Sequence, residues 1–248
     1  MPLLILPIVW VAVAAGRRIN SLVLRGTPEG VAPLEQSLFG LATGFGLLAY
    51  GTLAIGLLRQ LTPMPIITWI VILAILGWRE HAALAHELAA GMREIRLSPA
   101  GILVLLVFAG CAAVSLIGCF TPPTMLEWDS MSYHLADPKI YLQHHRILYL
   151  PWESHSNFAF TMEMLYTIGL MAHSIPLAKL FHFTLGVAGT LATYLIGARA
   201  VSRPVGIISG LIFATLPIVM WEAGTAYVDL AATAFGALGL LALVIWVR

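Results

Sequence analysis

Long apolar runs constrain the fold of this chain more than any other feature. The run Ala100–Phe120 contains no charged residue, and at about 1.5 Å per helical residue it is long enough to cross a hydrocarbon core of roughly 30 Å. Of all residues, 60% are hydrophobic and 10% are charged, whereas a soluble domain carries about 25% charged residues. The sequence therefore predicts an all-α, polytopic membrane protein.

Seven apolar segments are predicted to span the membrane, of which the first is short and the third marginal. They are Leu3–Gly16, Leu38–Leu58, Met64–Trp78, Ala100–Phe120, Leu177–Ala198, Val205–Trp221 and Val228–Val247. We divide the chain into residues 1–99, with N-terminal spans and an amphipathic helix, and residues 100–248, a membrane module that includes a long loop, Thr121–Asn157. The sequence ends directly after a span, which is compatible with a partial chain.

The arginines are sorted by position along the chain. They follow the first, third, fifth and seventh spans, as Arg17, Arg18, Arg25, Arg79, Arg93, Arg96, Arg199, Arg203 and Arg248. The positive-inside rule makes these segments cytoplasmic, so Thr121–Asn157 is expected to face the periplasm or exterior. If Phe158–Ser174 spanned the bilayer, Arg199 and Arg203 would lie outside. We therefore predict that this stretch is a helix lying along, or dipping into, the outer face.

Two further patterns concern helix packing. Arg79–Arg96 places four apolar residues on one helical stripe and reads as an amphipathic helix on the cytoplasmic surface; the stripe is formed by Leu84, Leu88, Met92 and Ile95. The pairs Gly40/Gly44 and Gly206/Gly210 have the spacing that lets helices approach closely in lipid.

The candidate chemistry lies on the predicted outer side, in Thr121–Asn157 and in the short segment from Trp221 to Asp229. A loop of this length is usually functional or disordered, and its many Trp, Tyr and Pro residues argue against disorder. An acidic group at mid-depth in the membrane costs roughly 2.5–3.5 kcal/mol and less near the interface, so it needs a partner or a function. Asp129 and Asp229 are the acids that we select.

From Pro122 to Arg248 the chain resembles the GT-C superfamily of multi-spanning glycosyltransferases, which take sugars from polyprenyl-phosphate carriers at the outer face of the membrane. The resemblance is strongest toward bacterial protein mannosyltransferases and aminoarabinose transferases. It rests on the order of several segments: Trp128-Asp129-Ser130-Met131-Ser132-Tyr133-His134, Tyr141-Leu142, Leu148-Tyr149-Leu150-Pro151, Glu163-Met164-Leu165-Tyr166, Tyr194 to Arg199, and Ala226-Tyr227-Val228-Asp229-Leu230. Each segment alone is a weak signal.

The resemblance implies an enzyme that transfers a sugar to a cell-envelope glycan, lipid or protein at the outer face of the bacterial cytoplasmic membrane. Asp129 matches the acid that acts as general base on the acceptor hydroxyl, and Asp229 would support catalysis. The implied substrate-binding residues are Glu127, Tyr133, His134, Lys139, Arg146 and Tyr227, with Lys139 and Arg146 as the nearest cations for the leaving phosphate.

One departure from the family pattern leaves the branch and the acceptor open. Many members carry an Asp-Glu pair in the first loop, whereas Ser130 follows Asp129 here and the neighbouring acid is Glu127. Some members hold a divalent cation with acids of two outer loops, for which Asp129 and Asp229 are the candidates, and others need no metal. The cofactor therefore stays undetermined.

Structural interpretations compete with these roles. Asp129 is also placed to cap a short helix that ends before Pro138, and Asp229 to complement the dipole of the last span. Lys139 and Arg146 are suited to lipid headgroups. Four histidines in one loop suggest zinc, but they lack a ligand spacing such as His-Glu-x-x-His; they are His134, His144, His145 and His155.

Two other classes of function also fit a chain of this composition. A secondary transporter is one, although transporters place ionisable sites near the bilayer midplane and show repeat symmetry. A non-catalytic assembly factor for the cell envelope is the other. The net charge of +1 and the lack of a concentrated basic face argue against nucleic acid as a partner.

Overall fold

The computed structural model describes residues 1–26, 29–94, 98–158 and 160–247, and within these ranges the chain is helical with no strand. The predicted Ile95, Arg96 and Arg248 lie outside the described residues. Eleven α-helices are described: α1 (Ile5–Val23), α2 (Pro33–Leu57), α3 (Pro63–Leu76), α4 (Trp78–Glu94), α5 (Pro99–Phe120), α6 (Ala136–Gln143), α7 (Thr161–Met171), α8 (Ile175–Ala200), α9 (Arg203–Thr215), α10 (Pro217–Glu222) and α11 (Asp229–Val247).

Five segments are long and apolar enough to cross a membrane: Pro2–Val23, Pro33–Leu57, Pro99–Phe120, Ile175–Ala200 and Asp229–Val247. The prediction of an all-helical chain with several spans is thereby confirmed, whereas the count of seven is not. In the third predicted span, α3 ends at Leu76 and α4 leaves it at an angle of 70°. Together, α3 and α4 are therefore compatible with one bent span or with a re-entrant segment.

The sixth predicted span is broken in two. α9 ends at Thr215, and α10 begins at Pro217 after Leu216 adopts an extended conformation. Proline lacks the N–H that a continuous helix would need at this position, and it disfavours the helical conformation in the residue before it. With 13 residues, α9 is only about 20 Å long, which is shorter than a hydrocarbon core.

The predicted glycine pairs lie at close helix contacts. A Cβ added at Gly44 would lie 1.9 Å from the carbonyl oxygen of Ala12, and one at Gly206 would lie 2.5 Å from that of Tyr194. The backbones of α1 and α2, and those of α8 and α9, therefore approach too closely for any larger residue. This is the packing that small residues permit in the absence of a hydrophobic driving force between helices.

α8 defines two ends of the bundle, since its 26 residues extend over about 39 Å. Near its N-terminus, the Lys179 ammonium donates to the carbonyl oxygens of Gly118 and Thr121 at the end of α5. Near its C-terminus, Arg199 pairs with Glu35 at the start of α2. We call the first the acidic end, because it carries Thr121–Asn157 and Asp229, and the second the basic end.

Residues 79–94 of the predicted amphipathic stretch lie in α4, and the described part of its apolar stripe is divided. Leu84 is buried, whereas Leu88 and Met92 are exposed. α4 is held by polar contacts as well, because Arg17 of α1 donates to both carboxylate oxygens of Glu87 at 2.7 and 2.9 Å. This helix is therefore joined to α1 by an ion pair in addition to apolar packing.

The stretch 158–174 folds as α7, whose 11 residues extend over about 16 Å and cannot cross a membrane. Residues Met162–Gly169 are all buried, and the helix packs against α2, α6 and α8. A helix lying on the lipid interface would expose one face, so α7 is instead an interior helix at the acidic end. A spanning α7 is excluded by its length.

Candidate functional site

Two segments far apart in sequence meet at the acidic end. Residues Ser130–His134 form a single π-helical turn, a local widening that often occurs at functional sites. The Ser130 hydroxyl accepts a hydrogen bond from the Ala226 N–H at 3.2 Å, and the Tyr166 hydroxyl donates to the Tyr227 carbonyl oxygen. The segment between α10 and α11 is therefore fixed against both the loop and α7.

The ring of Tyr133 lies between two histidines. It stacks on His155 with centroids 4.1 Å apart and planes 4° from parallel, and its centroid is also 4.1 Å from that of His134. Each imidazole is held by a carboxylate, since His134 Nδ1 lies 2.5 Å from Glu163 Oε1 and His155 Nδ1 lies 2.5 Å from Glu153 Oε1. The Tyr133 ring thus contacts two imidazoles that are each held by a carboxylate.

Asp129 lies between two tyrosines. Burial, the charge of Asp129 and a hydrogen bond to its carboxylate raise the pKa of Tyr133 to about 12, as expected for a phenol that donates to a carboxylate. The Asp129 N–H donates to the Tyr227 hydroxyl, although burial still leaves the pKa of Tyr227 raised. Asp129 makes no side-chain capping bond, so the capping interpretation does not account for it.

Asp229 occupies the first turn of α11 and is exposed. Its charge contributes to the raised pKa of Tyr133, as do the charges of Asp129 and Glu163. The two acids selected from sequence therefore both lie near enough to this phenol for their charges to raise its pKa. The position of Asp229 also satisfies the dipole interpretation.

Glu127 and Lys179 form a buried ion pair. Lys179 Nζ lies 3.0 Å from Glu127 Oε1, and the side chains are 0% and 9% exposed. A lysine inside an apolar helix is energetically costly unless it is paired. Its position in such a helix is the sequence feature that could have identified Lys179 as a structurally important residue. Glu127, which is also predicted to bind substrate, joins the loop to α8 through this pair.

The predicted cations are dispersed. Lys139 is exposed on α6, and its side chain contacts no ionic partner among the described residues. Arg146 follows α6 in a segment bound to the turn after α2, where the Leu61 N–H donates to the His145 carbonyl at 3.0 Å and the Ile147 N–H to that of Gly56 at 3.1 Å. Arg146 is therefore part of the segment that packs against the end of α2.

Three residues that the sequence did not single out belong to this end. Asp137 is 1% exposed, and its Oδ2 has no hydrogen-bond partner among the described residues; burial, followed by the charge of Glu153, raises its pKa to about 6. Burial and Asp229 raise the pKa of Glu222 to about 7. His182 Nδ1 donates to the Glu222 carbonyl at 3.0 Å, and its Nε2 accepts from the Leu230 N–H at 3.2 Å.

A metal centre finds little support in the described part of the chain, where no three His, Cys, Asp or Glu residues are grouped as ligands. His134 and His155 are each paired with a carboxylate, and His144 and His145 are exposed beyond the end of α6. Asp129 and Asp229 have no third protein ligand there. The arrangement instead offers carboxylates and tyrosine hydroxyls, which accept, donate and orient protons.

Aromatic rings border the same region. Trp221 contacts Tyr227 edge to face, with centroids 5.3 Å apart, while Trp128 and Trp152 are 65% and 73% exposed. Such rings are typical of a membrane interface. They also provide flat apolar surface beside the polar groups.

Comparison with known protein families, with curated proteins and with solved structures finds no match for this chain.

Proposed function

We propose that this protein transfers a sugar from a polyprenyl-phosphate donor to a cell-envelope acceptor at the outer face of a bacterial cytoplasmic membrane, as a glycosyltransferase of GT-C type. One observation carries the proposal: at one end of a multi-span helical bundle, Asp129 is engaged with both Tyr133 and Tyr227. An acid held between hydroxyl groups at a membrane interface suits proton removal from an acceptor hydroxyl.

Asp129 is the base in the proposed reaction. The acceptor oxygen forms a bond to the anomeric carbon as the bond from that carbon to the phosphate oxygen breaks. The proton of the acceptor hydroxyl passes to the Asp129 carboxylate, and the bonding electrons leave with the lipid phosphate. Tyr133, held by His134 and His155, orients the carboxylate, while Asp229 and Tyr227 approach from the other segment.

Lys139 is the cation best placed to approach the leaving phosphate. It is exposed on α6, the helix that directly follows the π-helical turn, and its flexible side chain carries three donors. Arg146 is proposed to contact the donor or lipid headgroups farther from the reacting carbon. We assign no step to a metal ion.

The orientation of the site follows from charge. Arg17, Arg18 and Arg25 lie near the end of α1, and Arg199 and Arg203 near the junction of α8 and α9, so five arginines lie at the basic end. The positive-inside rule makes that end cytoplasmic. The acidic end would then face the periplasm or exterior, where lipid-linked sugars are presented to envelope acceptors.

The proposal is tested by sugar transfer in reconstituted membranes, using a panel of radiolabelled polyprenyl-phosphate sugars. We expect Asp129→Asn to lower the turnover rate by about 10²–10⁴-fold, the usual range for a lost general base. Asp229→Asn should have a smaller effect because its carboxylate does not take the proton. Activity with and without a chelator decides whether a metal takes part.

Glu29→Gln is the matched control, since it removes one negative charge from an exposed residue of the segment before α2 at the basic end. It should leave turnover unchanged. Full activity in correctly inserted Asp129→Asn would show that Asp129 is not the base. If the wild-type protein transfers sugar from none of the donors, a transport or assembly function replaces the one proposed.

A further inference from the structure

A groove with a volume of about 460 Å³ runs between α5, α8 and α9. Its walls are mostly apolar and include Leu105, Phe108, Phe183, Leu191, Ile207 and Ala214. From Leu105 to Ser115 it extends about 15 Å along α5 at 1.5 Å per residue. That length is half of a hydrocarbon core of roughly 30 Å, so the groove reaches across about one leaflet.

The polar groups inside the groove are satisfied within the protein. The Ser115 hydroxyl donates to the Met220 carbonyl oxygen at 2.8 Å, which joins α5 to α10 where the groove ends. The Thr190 hydroxyl donates to the Gly186 carbonyl oxygen at 3.0 Å. The interior therefore presents an apolar surface that suits an acyl chain.

Where the groove opens at the basic end of the bundle, its lining is polar rather than apolar. It is lined by Arg203, which is exposed, and by Tyr194, which is half-buried. Neither side chain makes a hydrogen bond or ion pair with any described residue. The neighbouring arginines are paired, since Arg17 binds Glu87 and Arg199 binds Glu35. The groove thus combines an apolar channel with one uncompensated cation at its mouth.

We propose that this groove binds an anionic phospholipid from the leaflet at the basic end, with one acyl chain between α5, α8 and α9 and its phosphate at Arg203. Charge complementarity selects the headgroup, because a guanidinium forms strong, charge-assisted hydrogen bonds to phosphate. The groove length and the satisfied interior select the chain. The headgroup position at Arg203 lies at the opposite end of the bundle from the proposed catalytic groups, and lipid binding there does not depend on sugar transfer.

The test is native mass spectrometry of the full chain in detergent, titrated with phosphatidylglycerol or with phosphatidylcholine of the same acyl chains. One basic residue near an anionic surface contributes about 1 kcal/mol, so the wild-type protein should retain phosphatidylglycerol about fivefold more tightly. Arg203→Ala should abolish the preference, and Arg203→Lys should keep most of it.

Two variants separate the headgroup from the chain. Arg18→Ala is the charge control, because Arg18 lies in α1 at the same end and does not line the groove; it should keep the preference. Ala112→Trp fills the groove from α5 and should lower the retention of both lipids. Equal retention of the two lipids by the wild-type protein, or equal losses in Arg18→Ala and Arg203→Ala, would overturn the proposal.

Discussion

The two ends of the bundle treat their charges differently. At the basic end, Arg17 contacts Glu87 and Glu80, and Arg199 contacts Glu35, so that charges join α1 to α4 and α8 to the start of α2. At the acidic end, Lys179 binds Glu127, and several carboxylates remain without a cation. At the basic end, ion pairs hold helices together. At the acidic end, the surplus of carboxylates leaves groups that can exchange protons.

The surplus of carboxylates at the acidic end is reflected in raised pKa values. Burial, with a neighbouring acid as the next cause, raises the pKa of Asp137 to about 6 and that of Glu222 to about 7. Perturbed carboxyl groups cluster at functional sites more often than elsewhere. The difference between the ends therefore points to the acidic end as the location of chemistry, independently of any resemblance to a family.

The largest effect on stability is expected at the single fully buried cation of the acidic-end network. Lys179→Met leaves Glu127 buried and unpaired, which should lower the free energy of unfolding by about 3–5 kcal/mol. Thermal unfolding of the detergent-solubilised protein measures the loss. A double variant, Lys179→Met with Glu127→Gln, should recover part of it because the unpaired charge is removed.

Lys139→Met is the control at the same end, since that lysine is exposed and has no ionic partner among the described residues. Its effect should stay within about 0.5 kcal/mol. If Lys179→Met were no more destabilising than Lys139→Met, the ion pair would not hold the loop to α8. The distinction between charges that hold helices together and charges that remain unpaired would then not apply at the acidic end.

Sequence reasoning found the elements that depend on local pattern. Apolar length predicted the spans that became α2, α5, α8 and α11, and small-residue spacing predicted the close contact at Gly44. It did not find the Lys179–Glu127 pair, whose members are 52 residues apart. Such a pair arises only when the end of α5 is folded onto α8. The break at Pro217 was visible in the sequence, but hydropathy alone does not register it.

The residues of the candidate site also fall into those that the sequence indicated and those that it did not. Asp129 and Asp229 were selected from polarity and Tyr133 from the family resemblance, and in the structure the charges of both acids raise the pKa of Tyr133. Asp137 was not selected, because its burial is not apparent from its neighbours in the sequence. It is buried on α6, which packs against α7, and the sequence had predicted that α7 lies along or dips into the outer face.

The next largest effect on stability is expected at the basic end, where it tests the comparison between the two ends of the bundle. Arg199→Met removes charged hydrogen bonds from Glu35, which is 1% exposed. The loss should be about 1.5–3 kcal/mol, less than for Lys179, because Glu35 still accepts the Ala32 N–H at 2.8 Å. Arg203, four residues away, has no ionic partner among the described residues, so Arg203→Met should change stability by less than about 0.5 kcal/mol. Equal losses would show that Arg199 acts through general charge rather than through this pair.

The last effect concerns Asp137 and appears as a dependence of stability on pH. Its pKa is raised in the folded protein from an ordinary 3.8 to about 6, so the stability contributed by the protonated form is present below pH 3.8 and lost as the pH rises through about 6. Asp137→Asn cannot lose a proton and should escape this decline. The variant should therefore gain stability relative to wild type as pH increases across that window, as measured by thermal unfolding at each pH.

Glu153→Gln provides a control of opposite sign. The backbone N–H and the imidazole of His155 lower the pKa of Glu153 below 4.5, so its contribution is present above pH 4.5 and lost as the pH falls through the lowered value. This variant should be less stable than wild type at neutral pH and should approach it in acid. If both variants changed in the same direction, a general charge effect would explain them. Opposite directions would show that neighbouring carboxylates at the acidic end are held in different protonation states by burial in one case and by hydrogen bonding in the other.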